Sequence, residues 1–234
     1  MKTLKIHCFQ HVHFEDLGCI GNWIEKHGHA VQYTRFYENH SVPNVNDYDW
    51  LVVMGGPMSV NDEGEFPWLV DEKKAVKDAI ENNKTVIGIC LGSQLIANVL
   101  GEKVYKNPER EIGWFDISLT GLKDSGNLLN PDSAKPIKVF HWHGETYKIP
   151  ANSVHLAYSA GCENQAFLYN EKVLGLQFHL EVTEQSIGAM IENGRNELVT
   201  GKFVQSESEI LTQTAFIESN NRIMFQLLDK LAKQ

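Results

Sequence analysis

The chain has 234 residues, 42% hydrophobic and 22% charged, which is the composition of an ordinary globular protein with enough residues for one full α/β core. The formal net charge of -9 offers no basic face to phosphates and argues against nucleic-acid binding. No apolar run is long enough to span a membrane, and the residues after Met1 lack the core of a signal peptide, so we expect a cytoplasmic protein.

Strand-like and helix-like segments alternate through the first hundred residues. Runs rich in valine, isoleucine and aromatic residues predict strands over residues 3–9, 30–36, 50–54 and 84–89. Apolar residues at helical spacing predict helices over residues 14–27, 66–82 and 93–100. This alternation implies parallel strands joined by right-handed crossovers.

The middle of the chain changes character. Turn residues, such as those at 130–132, separate short strand candidates at residues 103–105, 112–119, 137–142, 154–159, 165–169 and 173–178. We therefore expect one α/β domain over residues 1–234, with a mostly parallel central sheet flanked by helices and a mixed or antiparallel strand extension.

The last fifty residues return to a helical pattern. A capping box at Ser206 to Glu209 precedes an apolar stripe that extends through Leu231. This stripe is either part of the core or the surface of a homodimer.

Residues 86–94 combine the features of a nucleophile elbow. An apolar strand ends at Gly88, Cys90 follows, and a helix begins at once, in the pattern G-x-C-x-G. Glycines flank the cysteine because a Cβ at Gly88 or Gly92 would crowd the neighbouring strand and helix. The amides at the helix start favour the thiolate, so Cys90 is the candidate nucleophile.

A cysteine nucleophile needs a base and a group that orients this base. His179 and Glu181 follow a predicted strand and are two residues apart, so they can point the same way. Acyl transfer to a cysteine also forms an oxyanion that needs hydrogen-bond donors, and the amides of Gly56 and Leu91 are the candidates. Gln94 lies one helical turn after Cys90 and can bind a polar substrate group beside the sulfur.

These motifs, in this order, resemble class I (triad-type) glutamine amidotransferases, above all the glutaminase domain of GMP synthase and its stand-alone relatives. The resemblance covers residues 50–185 and includes two weaker motifs, 141–145 and 163–167. It implies a flavodoxin-like fold in which Cys90 attacks the side-chain amide of L-glutamine, forms a thioester and releases ammonia. It also implies that the side chain of Gln94 and the backbone around three further positions bind the glutamine head group: Asn164, Ala166 and Phe167.

Some residues have more ordinary interpretations. His143 and Glu145 form either a second acid–base pair or a polar loop at the pocket rim, and we favour the rim. Leu180 departs from the family, in which many members have proline, and its side chain should point away from the site. No metal or other cofactor is predicted. The three N-terminal histidines, His7, His11 and His13, suit a solvated loop. The remaining cysteines, Cys8, Cys19 and Cys162, suit structural thiols.

The fate of the ammonia stays open. The chain lacks a P-loop, a Rossmann motif and room for a synthetase domain, so a separate synthetase partner would have to use the ammonia. One alternative is a stand-alone γ-glutamyl hydrolase or peptidase that acts on γ-glutamyl amines or peptides. Another is a non-catalytic binding module on the same fold.

Overall fold

A nine-stranded mixed sheet organises the part of the chain that the computed structural model describes, residues 3–38, 41–120, 128–129 and 135–234. Across the sheet the strands lie in the order β2 (Ala30–Arg35), β1 (Lys5–Gln10), β3 (Trp50–Val53), β4 (Thr85–Ile89), β9 (Val173–Leu176), β8 (Ala166–Tyr169), β7 (Ser153–Ser159), β5 (Val104–Leu119) and β6 (Ile137–Tyr147). The turn predicted at residues 130–132 lies outside the described residues. Among the described helices, none has both the length and the apolar character that crossing a bilayer requires.

Five strands form the parallel half of the sheet. They are β1 (Lys5–Gln10), β2 (Ala30–Arg35), β3 (Trp50–Val53), β4 (Thr85–Ile89) and β9 (Val173–Leu176). The helices that follow β1, β3 and β4 are α1 (Cys19–Lys26), α2 (Trp68–Glu81) and α3 (Leu91–Val99). The predicted α/β architecture is confirmed. Because these strands run parallel, their carboxyl ends share one edge of the sheet.

Four antiparallel strands extend the sheet. They are β5 (Val104–Leu119), β6 (Ile137–Tyr147), β7 (Ser153–Ser159) and β8 (Ala166–Tyr169). The two strands predicted at 103–105 and 112–119 are one long strand, interrupted by a register shift between Lys106 and Glu111. The strand predicted at 137–142 continues through Tyr147, because it pairs with both ends of β5.

The C-terminal region contains α4 (Glu184–Gly194), α5 (Glu207–Leu211) and α6 (Phe216–Leu231). The capping box at Ser206 and Glu209 is present, but the helix it starts ends at Leu211, so the single predicted helix is two helices. The stripe on α6 is buried in the core through Met224, Leu227, Leu228 and Leu231. A homodimer stays a prediction.

The prediction of a helix over residues 14–27 was wrong at its beginning. The helix starts at Cys19, because Gly18 adopts a positive φ of 47° and a Cβ there would overlap the carbonyl oxygen of Glu181. The amide of Cys19 donates a hydrogen bond of 2.8 Å to that same oxygen. Residues 11–18 are therefore a loop at the carboxyl end of β1, anchored beside Glu181.

The prediction of a solvated histidine loop was also wrong for two of its three members. His7 is buried within β1 and its Nε2 lies 2.9 Å from Thr34 Oγ1. His11 is buried against the carboxylate of Glu72, 61 residues away in the chain. His13 is exposed. Sequence spacing could not show these partners, because tertiary folding brings them together.

Candidate active site

Cys90 lies at the sharp turn between β4 and α3, with φ of 50° and ψ of -108°. A Cβ on Gly88 would overlap the backbone of Gly92, and a Cβ on Gly92 would overlap the carbonyl oxygen of Val53 on the neighbouring strand. The turn is thus possible only with hydrogen at both flanking positions, for the steric reason predicted from the sequence. It presents Cys90 at the carboxyl edge of the sheet.

The thiol of Cys90 is 6% exposed and lines an open cavity. Its Sγ lies 3.5 Å from the carbonyl oxygen of Trp142 and 3.7 Å from Nε2 of Gln177. Burial raises the pKa of this thiol, while His179 and the amide of Leu91 act to lower it. The amide at the helix start favours the thiolate as expected, but burial has the larger effect on the pKa of the thiol.

His179 and Glu181 form a buried pair at the end of the segment that follows β9. Nδ1 of His179 lies 2.6 Å from Oε1 of Glu181, and the backbone amide of His179 donates a 2.8 Å hydrogen bond to the carbonyl oxygen of Phe140. Burial acts to lower the pKa of His179, but the Glu181 carboxylate and the adjacent Cys90 thiol raise it well above its usual value. Within the described part of the chain, Nε2 of His179 has no hydrogen-bond partner. The Glu181 carboxylate therefore orients the imidazole through Nδ1, which leaves Nε2 as the nitrogen that can exchange a proton with a neighbouring group.

The peptide between Gly55 and Gly56 is fixed by an inner hydrogen-bond chain. Nδ1 of His11 lies 2.9 Å from the carbonyl oxygen of Gly55, and Nε2 of His11 lies 2.8 Å from Oε1 of Glu72. Burial acts to lower the pKa of His11, but the Glu72 carboxylate, the Gly55 carbonyl oxygen and the charge of Glu15 together raise it. In a trans peptide, the carbonyl of Gly55 and the amide of Gly56 point in opposite directions. Holding the carbonyl at His11 therefore turns the N–H of Gly56 away from His11.

Gln94 lies on α3, one turn after Cys90, and lines the same cavity. Its Nε2 donates to the carbonyl oxygen of Glu145 at 3.3 Å and to Oε1 of Gln177 at 3.2 Å. The carboxamide is thus held between β6 and the segment after β9. Its carbonyl oxygen stays available to a ligand.

The cavity above Cys90 has a volume of about 530 Å³, within the range of small-molecule sites. Gly56, Gln94, His143 and Glu145 contribute to its walls. Its other charged lining groups are five side chains of both signs: Glu15, Asp62, Lys106, Arg110 and Glu197. A polar, zwitterionic ligand fits this lining better than an apolar one.

Comparison with known proteins places this geometry in a family. A family model for class I glutamine amidotransferases matches residues 20–196. The glutamine amidotransferase-like protein YfeJ of Salmonella typhimurium is 32% identical over 237 residues, which cover 97% of each chain. The glutamine-hydrolysing GMP synthase of Bacillus pumilus is 36% identical over 140 residues, 59% of this chain and 25% of that enzyme.

The chain belongs to the class I glutamine amidotransferase family.

Solved structures of this family share the whole fold. The glutamine amidotransferase of Methylobacillus flagellatus superposes with a TM-score of 0.93 at 28% identity, over 99% of this chain and 95% of that one. The glutamine amidotransferase of Thermotoga maritima gives 0.88 at 26% identity, with full coverage of both chains. The chain spans only about a quarter of the length of the GMP synthases it matches.

Not every residue predicted for this amidotransferase site borders the cavity. Ala166 and Phe167 are fully buried on β8, and the ring of Phe167 packs against Gly175. The side chain of Asn164 donates to the carbonyl oxygen of Tyr147 at 2.8 Å and faces a separate recess. Their contact with glutamine stays a prediction.

The interpretation of His143 and Glu145 as a polar loop was wrong, since both lie within strand β6. They still line the cavity, as a rim would. Leu180 is buried in the hydrophobic cluster that also contains Ile20 and Met224, and it does not line the cavity, as expected.

Sequence reasoning missed a buried network centred on Glu111. Its carboxylate accepts hydrogen bonds from Ser159 Oγ at 2.6 Å and Gln165 Nε2 at 2.6 Å, and lies 3.1 Å from Nε2 of His143. Donor atoms of Glu111, His141 and His143 lie within 4.8 Å of one another, the closest approach to a metal-ligand set in the described residues. Since protein donors already occupy both oxygens of Glu111, we assign the network a structural role.

Glu15 was missed because the helical spacing placed it inside a predicted helix. It lies instead in the loop before α1 and lines the cavity. The signal that could have shown this was Gly18, since a glycine inside a helical pattern weakens the helix prediction.

Proposed function

We propose that this amidotransferase hydrolyses the side-chain amide of glutamine through a thioester on Cys90 and releases ammonia. One observation carries the proposal: the thiol of Cys90 borders an open polar cavity beside an imidazole whose far nitrogen is held 2.6 Å from a buried carboxylate. Nucleophile, base and orienting acid require this arrangement.

In the proposed reaction, His179 holds the proton of Cys90, and the thiolate adds to the amide carbon. The amides of Gly56 and Leu91 stabilise the oxyanion, because they are preorganised by the backbone. The C–N bond then breaks as His179 donates the proton to nitrogen. Water next adds to the thioester while His179 takes its proton, and glutamate leaves as the C–S bond breaks.

The walls of the cavity support a glutamyl group as the substrate. Lys106 and Arg110 supply positive charge for the α-carboxylate, and Gln94 is held beside Cys90 by Glu145. The family relatives named as glutamine-hydrolysing support the same choice. Delivery of ammonia to a separate synthetase partner is the finer part of the proposal.

A second candidate is a stand-alone hydrolase of γ-glutamyl amines or peptides. The cavity volume of about 530 Å³ favours it, since it leaves room for a leaving group larger than ammonia. The same three residues would catalyse the reaction. The two candidates differ only in the amide nitrogen's substituent and in the product's fate.

The deciding experiment measures glutamate release from glutamine and a panel of γ-glutamyl amides, with and without cell extract. Activity on glutamine that rises with extract supports a synthetase partner. Activity on γ-glutamyl conjugates alone, unaffected by extract, supports the hydrolase. No turnover of any amide would leave the non-catalytic binding module.

Cys90→Ala is the matched variant for this assay. We expect turnover to fall more than about 10³-fold with the thermal unfolding temperature little changed, because a small residue replaces a small one. A glutamine-like diazo-ketone should label the native protein at Cys90. An adduct found by mass spectrometry on Cys8, Cys19 or Cys162, or undiminished turnover in the variant, would refute the assignment.

A further inference from the structure

Glu15 is an acidic group of the cavity to which the proposed mechanism gives no role. We propose that its carboxylate forms the subsite for the amine that leaves the scissile amide, and that it holds this amine as an ammonium ion. The inference rests on the proposed hydrolysis at Cys90. It adds a binding residue on the leaving-group side of the reaction.

The position of Glu15 is fixed beside the reacting groups. A Cβ built on Gly55 would overlap Oε2 of Glu15 and lie 3.4 Å from Cε1 of His179, so the carboxylate packs on this glycine next to the imidazole. The loop is anchored there, because the amide of Gly18 donates to Asp16 Oδ1 at 2.9 Å and the amide of Cys19 bonds to Glu181.

The carboxylate of Glu15 has no partner in the described part of the chain. With the residues that the structure describes, it forms neither a hydrogen bond nor an ion pair. Burial raises its pKa to about 7. The charges of His179 and His11 act to lower this pKa, and those of Glu181 and Glu197 act to raise it. A carboxyl group that is costly to ionise and has no protein partner is suited to a cationic ligand.

Two arguments place the leaving amine, and not the glutamyl α-amine, at Glu15. His179 must reach the leaving nitrogen to protonate it, so this nitrogen lies on the imidazole side of Cys90, where Glu15 is. The groups suited to the glutamyl end lie near β6: Lys106 pairs in register with Glu145, and Arg110 packs against Gly144.

The proton balance of this step is simple. The imidazolium of His179 gives its proton to nitrogen as the C–N bond breaks, and free ammonia or a primary amine results. This amine is a stronger base than a carboxylate, so below about pH 7 it takes the proton of the Glu15 carboxyl group, and at higher pH it takes a proton from the solvent. The products are an ammonium ion and the Glu15 carboxylate, held as an ion pair until the ammonium leaves.

This subsite bears on the fate of the product. An ammonium ion has no free electron pair and cannot attack an activated acceptor, whereas neutral ammonia can. Glu15 therefore favours release of the amine to solvent, as in a hydrolase of γ-glutamyl amides with small primary amines as leaving groups.

The test measures inhibition by ammonium chloride and methylammonium chloride while glutamate release is followed at about pH 8, with sodium chloride holding the ionic strength constant. We expect both cations to inhibit the native protein. Their inhibition of Glu15→Gln should be at least about tenfold weaker. Glu15→Asp, which keeps the charge on a shorter chain, should fall between them. Glu145→Gln, which removes a carboxylate at the β6 wall, should be inhibited like the native protein.

Several outcomes overturn the subsite. Equal inhibition of the native protein and of Glu15→Gln by the two cations would do so. A weakening of this inhibition in Glu145→Gln as large as in Glu15→Gln would do so as well. If Glu15→Gln raised the KM for glutamine but not for glutaramic acid, which lacks the α-amine, Glu15 would bind the α-amine of the glutamyl group instead of the leaving amine. If the native protein turns over no amide at all, the proposed function fails, and that result is distinct from turnover with unaltered ammonium inhibition.

Discussion

In the proposed reaction Cys90 attacks as a thiolate, and two effects of opposite sign act on the pKa of its thiol. Burial raises this pKa, while the imidazole of His179 and the amide of Leu91 lower it. Glu181 in turn raises the pKa of His179, so the imidazole is ready to carry the thiol's proton. The carboxylate therefore acts on the sulfur through the histidine, without touching it.

Glu181→Gln isolates this effect. The amide keeps the shape of the side chain but removes the charge that stabilises the imidazolium, so we expect kcat to fall by roughly 10²- to 10⁴-fold with KM little changed. The pKa of His179, followed by NMR of the imidazole, should fall as well. Glu218→Gln changes an exposed partner of Arg222 and serves as the control. An unchanged imidazole pKa would contradict the role given to Glu181.

At the scale of elements, the junction of β4 with α3 depends on close backbone packing. Gly88→Ala would drive a Cβ into the backbone of Gly92 and to 2.6 Å from Cδ1 of Ile96, so we expect a loss of about 1–3 kcal/mol in the free energy of unfolding. In Gly188→Ala on α4, the added Cβ has no heavy atom within 4 Å. This substitution should stabilise the protein by about 0.5–1 kcal/mol, because alanine has the higher helix propensity. Urea unfolding of both variants measures the difference, and equal effects would contradict the packing argument.

The loop after β3 depends on a second element, helix α2, through Glu72. Glu72→Gln weakens the hold on His11 and hence on the peptide that directs the N–H of Gly56. We expect kcat to fall about tenfold to 10²-fold with KM within about twofold, because the oxyanion donor is used mainly in the transition state. Glu63→Gln, which breaks an exposed pair with Lys73, is the control. Full kcat in a folded Glu72→Gln protein would show that His11 needs no anchor.

At the scale of the whole molecule, sequence reasoning succeeded where the cause was local. The elbow at Cys90 and the spacing of His179 and Glu181 follow from neighbouring residues, and the strands of the parallel half follow from apolar runs. It failed where contacts join distant segments, as between His11 and Glu72 or between Glu111 and Gln165. It also failed at Glu15, where contact of Gly18 with Glu181 overrides the helical pattern.

The network around Glu111 connects three strands of the antiparallel half, β5, β6 and β7, with the residue just before β8. Burial acts to raise the pKa of Glu111, but hydrogen bonds and charges from its partners, above all His143, lower it to about 2 from 4.5. A folded-state pKa below the unfolded value means that the folded protein binds fewer protons. The resulting stability is present above pH 4.5 and is lost as the pH falls towards 2.

Unfolding in urea between pH 7 and pH 3 tests this contribution. A shift of this size corresponds to about 3 kcal/mol at neutral pH, so the native protein should lose stability steeply below about pH 5. Glu111→Gln should be less stable at pH 7 and show a flatter pH dependence, because the group that titrates is gone. Asp116→Asn, at an exposed position of the same strand β5, should keep the native pH dependence. If Glu111→Gln kept it too, the acid sensitivity of the fold would originate elsewhere.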